Sequence, residues 1–162
     1  MKKLIALLLL STQISYAGIN FPLGGVGSTL QFFASSAIST QSSSNTSTSF
    51  ATFSNSPAFT ITPTVSGTYR VWTSAIMSIS GANQCEFQIT NTSGAATLLY
   101  NSAITLTATT GGVTSGHIEA VYSLTAGVTY VFDIQGQVGS VATSITLYGT
   151  ASPFYMFAQR VL

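Results

Sequence analysis

"SGTYRVWTSAIMSISG", residues 66–81, alternates apolar and polar side chains along nearly its whole length. Tyr69, Val71, Ala75, Met77 and Ile79 fall on one side, and Arg70, Ser74 and Ser78 fall on the other. Period two is the signature of a strand with one buried face. Trp72 and Ile76 break the pattern, because both lie on the side that should face water. The stretch therefore predicts a long strand of a β-rich domain and poses a question about what covers its outer face.

Outward from this strand the same period recurs, and no long segment beyond the N-terminus shows a 3.6-residue repeat. Further strands are predicted at 28–36, 47–53, 58–62, 84–91, 96–100, 103–109, 116–124, 128–135, 143–148 and 153–161. Turn residues that tolerate positive φ separate them: Asn91 to Gly94, Gly111-Gly112, Ala126-Gly127 and Gly136 to Gly139. Pro57, Pro63 and Pro153 stand at strand ends, where a missing N–H costs least. Residues 18–27, "GINFPLGGVG", form a Gly-rich arm that is either flexible or strand-swapped, and the Ser/Thr-rich residues 35–49 read as an exposed loop. About ten short antiparallel strands without a helix predict an all-β sandwich or closed barrel, as one domain over residues 28–162.

The N-terminus is different. "MKKLIALLLLSTQISYAG" has two lysines, an apolar run from Leu4 to Leu10 and a small-x-small pattern at Ser15-Tyr16-Ala17. Residues 1–17 therefore read as a signal peptide cleaved after Ala17, or alternatively as an uncleaved apolar arm that packs on a partner. The run is too short for a spanning helix, so no stable membrane span is expected once the signal is removed. The remaining chain of about 145 residues is long enough to bury a substantial core. Its charges are Arg70 and Arg160 against Glu86, Glu119 and Asp133, which leaves −1. With no basic patch, nucleic acid and anionic lipid are not expected partners. So few charges on a Ser/Thr-rich chain point to surface hidden in an oligomer.

The chemical inventory is thin, with one His, three acids and one Cys. No Gly-x-Ser-x-Gly pattern occurs, and "PLGGVGST" at 22–29 lacks the lysine of a phosphate-binding loop. The expectation is a protein that is not an enzyme and takes no cofactor or metal. Too few carboxylates are present to cage calcium. Cys85 shares a strand face with Phe87 and Ile89 and is predicted to be a buried hydrophobe rather than an intermolecular disulfide. His117 and Glu119, two apart on a predicted strand, project from one face. They read either as a solvated pair or, if copies of the chain meet there, as an axial polar pair. Asn45-Thr46-Ser47 and Asn91-Thr92-Ser93 fit the glycosylation pattern, which arises readily in so Ser/Thr-rich a chain.

From Gly67 onward the order of motifs resembles the C1q/tumour-necrosis-factor-like jelly roll. "SGTYRV" at 66–71 is similar to the Gly-x-Tyr-x-Val strand that opens the core of that family. "QCEFQITNTSG" at 84–94 resembles the next strand and its hairpin, and "YSLTAGVTYVFDI" at 122–134 resembles the family's turn followed by an aromatic strand. "SITLYG" at 144–149 and "FYMFAQRVL" at 154–162 resemble its paired closing strands. No collagen-like stalk is present, and no receptor-contact residue can be carried over. The resemblance implies a compact homotrimer, and with it an answer to the question raised by residues 66–81. A neighbouring protomer would cover Trp72 and Ile76, and also Tyr130 and Phe132 in "VTYVFDI"; alternatively, Trp72 lies under a loop of its own chain. The functional expectation is an exported, periplasmic or cell-surface binding module of adhesin type, with a glycan or cell-surface receptor as its partner. The alternative is a phage virion protein: a fibre head, receptor-binding tip or capsid decoration.

Overall fold

The computed structural model describes residues 31–34, 43–53, 58–81, 83–93, 95–102, 104–108, 112–139, 144–148 and 155–161. The signal-peptide reading of residues 1–17 and the arm at 18–27 lie outside them. Twelve strands run through the described residues. The first four are short: β1 (Phe32–Ala34), β2 (Ser43–Asn45), β3 (Ala51–Thr52) and β4 (Phe59–Ile61). Then come β5 (Gly67–Ile79), β6 (Asn83–Asn91), β7 (Thr97–Ser102) and β8 (Ile104–Ala108). The last are β9 (Gly112–Leu124), β10 (Tyr130–Val138), β11 (Ile145–Tyr148) and β12 (Met156–Val161).

Two antiparallel sheets pack face to face as a jelly-roll sandwich. In the seven-stranded sheet, β5 pairs along its whole length with β9, and β9 pairs with β7 at the margin. The other edge of β5 is shared, with β12 beside Thr68–Thr73 and β11 beside Ile76–Ile79. β1 and β2 extend the sheet beyond β12 and β11. The five-stranded sheet repeats this plan around β10, which pairs with β6 on one edge and with β4 and β3 on the other, while β8 closes the margin beyond β6.

Alternation decides what the core contains. Along β5, Tyr69, Val71, Thr73, Ala75, Met77 and Ile79 are buried, the side assigned from sequence with Thr73 added. The Thr73 hydroxyl donates to the Tyr155 carbonyl at 2.8 Å, which satisfies a polar group inside. Across the sandwich, Cys85, Phe87 and Ile89 of β6 meet Phe132 and Ile134 of β10, so Cys85 sits in the core as expected. Burial of this cluster supplies the main driving force for folding.

Several boundaries differ from the sequence reading, and the strand expected at 47–53 is reduced to Ala51–Thr52. Strand β2 forms within the Ser/Thr-rich stretch expected to be loop, pairing Asn45 with Ile145. Strand β9 starts at Gly112, inside an expected turn, because its pairing with β5 continues to Ile79. Gly136, also expected in a turn, is a mid-strand residue of β10 opposite Phe87. A Cβ there would strike Ile145 Cδ1 and lie 2.9 Å from Phe53 Cζ, so only glycine lets these core side chains close over the strand. The Ala126-Gly127 turn is as expected: Gly127 has φ of 77°, and Val128 N donates to Thr125 O at 3.4 Å.

The entry to β1 is pinned by Gln31, an amide only 3% exposed. Its Oε1 accepts from Thr64 N at 3.1 Å and lies 2.5 Å from the Tyr69 hydroxyl, and its Nε2 donates to Thr64 Oγ1. Burial raises the Tyr69 phenol above its ordinary pKa, partly opposed by the charge of Arg160, so the hydroxyl stays a donor.

Candidate protomer interface

The outer faces of the two sheets have opposite chemistry. On the five-stranded sheet the cross-strand pairs are amides and hydroxyls. Gln88 Nε2 donates to Gln135 Oε1 at 3.1 Å and Gln137 Nε2 donates to Glu86 Oε2 at 2.8 Å, while Asn101 of β7, in the other sheet, donates from Nδ2 to Gln88 Oε1 at 3.0 Å. Asp133 lies on this face but is only 8% exposed, beside Thr92, whose hydroxyl donates to its Oδ2 at 3.2 Å. Desolvation raises the pKa of the Asp133 carboxyl, and the Thr92 hydrogen bond opposes that shift.

On the seven-stranded sheet the outer face carries an aromatic row at one margin. Trp72 of β5 stands opposite Phe157 of β12, and their rings stack with centroids 5.5 Å apart. Phe32 of β1 closes on both, at 6.1 Å from Trp72 and 5.8 Å from Phe157. Tyr155 continues the row 6.4 Å from Phe157 and is 41% exposed. The cover that its own chain gives Trp72 is thus a pair of rings on neighbouring strands, and the indole remains half-buried. Ile76, also half-buried, lies further along β5 between Ser115 and Tyr148 in register. At the far margin of the same sheet, β7 presents Leu98, Leu99 and Tyr100 in succession, each 50–56% exposed, where a bulge interrupts its pairing with β9.

Between these apolar ends lies one charged cluster. Arg70 places its guanidinium 5.2 Å from the Trp72 ring centroid and donates from Nε to Glu119 Oε2 at 2.6 Å, with Nη2 also paired to that oxygen. His117 Nε2 lies 3.7 Å from the same Oε2, and its Nδ1 lies 3.2 Å from Ser74 Oγ. His117 and Glu119 do project from one face, as their spacing requires. A hydroxyl, an imidazole and a carboxylate are in sequence here. However, the carboxylate oxygen that faces the imidazole is neutralised by Arg70, so it is poorly placed to sustain His117 as a base toward Ser74. Among the described residues no three His, Cys, Asp or Glu side chains gather as a metal site.

Tyr130 and Phe132 do not belong to this face. They are 1% and 0% exposed and point into the core of the chain, where Phe132 meets Tyr122 at 5.0 Å and Phe59 at 6.5 Å. The expectation treats Val131, Asp133 and Ile134 as failing to alternate cleanly, whereas in β10 Tyr130, Phe132 and Ile134 share the inward face and Val131 and Asp133 the outward one. Sequence reasoning also passed over Phe32, Tyr155, Phe157 and the β7 run. Signals were present: adjacent Phe32-Phe33 cannot both point inward, and Leu98-Leu99-Tyr100 has no alternation at all.

No protein-family model and no curated protein sequence matches the chain. Among solved structures it is similar to the tripod (BppUct-A-L) from the baseplate of bacteriophage Tuc2009. The TM-score is 0.52 at 18% identity, over 100% of this chain and 80% of that chain. At this identity the likeness concerns the fold: the chain is a jelly roll similar to one in a phage baseplate protein.

Proposed function

We propose that the chain is a non-enzymatic structural or receptor-binding subunit of a phage virion, a baseplate or fibre-head jelly roll that works as a homotrimer. The observation that carries this reading is the contrast between the two outer faces: one sheet is hydrated by amides and hydroxyls, the other carries stacked aromatics that water solvates poorly. Contiguous exposed apolar surface on a small domain marks an interaction site. The aromatic row and the β7 run are unlike patches at opposite margins of one sheet. Contact between unlike patches on successive copies is head-to-tail, and it closes into a ring when the rotation allows. Three copies are what the jelly-roll resemblance implies, and the fold likeness to a phage baseplate protein supports the virion setting. A host-surface glycan or protein is then the receptor class, reached by loops rather than by the buried sheet.

A second reading, an exported adhesin-like module, is favoured by the sequence of residues 1–17 alone. Intact mass of the protein from its native source separates the two. A chain that retains Met1 and co-purifies with virions supports the virion subunit. A chain that begins at Gly18, recovered outside the cytoplasm and absent from virions, overturns it.

A further inference from the structure

The chain enters the sheet beside the aromatic row, at Gln31, one residue before Phe32. We infer that residues 18–30 are exchanged between copies, so that the arm of one protomer lies over the Phe32–Trp72–Phe157 row of its neighbour. The inference rests on the proposed homotrimer and names the segment that fills its aromatic face. Residues 18–30 remain in the chain whether or not residues 1–17 are removed, so it holds for both readings of the N-terminus.

The composition of the arm suits that surface. Among its thirteen residues are Ile19, Phe21, Leu23, Val26 and Leu30, and no charged residue occurs between Lys3 and Arg70. Such side chains gain by leaving water. The rings of Phe32, Trp72 and Phe157 are only half-buried and offer contiguous apolar surface to meet them.

The direction of β1 decides whose row is covered. Going back along β1, the register runs from Ala34 opposite Phe157 to Phe32 opposite Gln159. The Gln31 carbonyl then accepts from Arg160 N at 2.9 Å. The upstream chain therefore leaves toward the Val161 end of β12, whereas Phe157 and Tyr155 lie the other way. Gln31 holds that heading, because its amide is buried and bonded to Thr64 and Tyr69. An arm over its own row would have to reverse just before Gln31, and an arm that crosses to a neighbour would not. Reach is ample. The row is two ring-to-ring steps long, 5.8 Å from Phe32 to Phe157 and 6.4 Å on to Tyr155. Thirteen extended residues span up to about 40 Å, enough to cross a subunit boundary and still lie along the row. In a cyclic trimer each copy gives one arm and receives one, so every row is filled.

The test is photo-cross-linking of the full chain with p-benzoylphenylalanine in place of Phe21. Trimers are formed by refolding an equal mixture of isotopically heavy and light chains, and light scattering records the assembly state before irradiation. The expected result is links from residue 21 to peptides that contain Trp72 or residues 155–157. About half of these links join a heavy to a light peptide, as random mixing of copies in a symmetric ring requires. Links confined to peptides of the same isotope overturn the exchange. A trimer in which residue 21 reaches no residue of the row overturns the inference and leaves the homotrimer standing. A monomer overturns the homotrimer and this inference together.

Discussion

Asp133 shows most clearly how one side chain both misled the sequence reading and governs a measurable property. Its carboxyl is buried on a nominally wet face, and desolvation raises its pKa with only the Thr92 hydroxyl in opposition. A raised native pKa means the folded chain holds the proton more tightly than the unfolded one. The contribution to stability is complete below the unfolded value of about 3.9 and is lost as pH rises through the native value. At neutral pH the charged form is a burden. Asp133→Asn keeps the acceptor for Thr92 and removes the charge, so its urea midpoint should exceed the wild-type value at pH 7. That gap should close near pH 3. A gap that persists unchanged in acid would contradict the assignment. Tyr122 carries the complementary case: burial pushes its phenol up to about 12, and its hydroxyl donates to Ile89 O at 3.1 Å. What was legible at this scale was parity, not cover. Alternation assigns the facing of Tyr69 or Trp72 without ambiguity, whereas burial of an outward residue depends on a neighbour such as Thr92, forty-one residues from Asp133 in the chain. Tyr130 and Phe132 are a different case: parity with Ile134 places both inward, and they lie in the core rather than at an interface.

Among the elements, β5 and β10 organise the two sheets in the same way, each paired along one edge by a long strand and along the other by two short ones. The strand list was largely visible in advance, since period two and the Gly, Pro and Asn punctuation survive any packing. The ends were not. Gly136 reads locally as a turn, yet it lies in mid-strand because the Phe53 and Ile145 side chains fill the space where a Cβ would stand. Gly136→Ala should therefore overpack the core and destabilise the fold by about 1–3 kcal/mol, measured by chemical denaturation. A variant as stable as wild type would mean that the strand can move aside. β2 was missed for a similar reason. Its segment has no apolar period of its own and is ordered by the free edge of β11.

For the whole molecule, the opening question has a physical answer in two parts. Trp72 is covered on one flank by Phe157 and Phe32 of its own chain, and in the proposed trimer a second copy covers the remaining surface. The amide-rich sheet needs no such cover. Replacing the indole with a carboxylate removes the centre of the aromatic row and leaves a charged group beside Phe157, Phe32 and Arg70. Because Trp72 lies outside the core, Trp72→Asp should leave the fold intact, checked by circular dichroism, and abolish assembly. The most direct measurement is the solution mass of the full chain by light scattering, in wild type and in Trp72→Asp. The proposed trimer gives three times 16.8 kDa for wild type and 16.8 kDa for the folded variant. A folded wild-type monomer, or a Trp72→Asp trimer as stable as wild type, would contradict it.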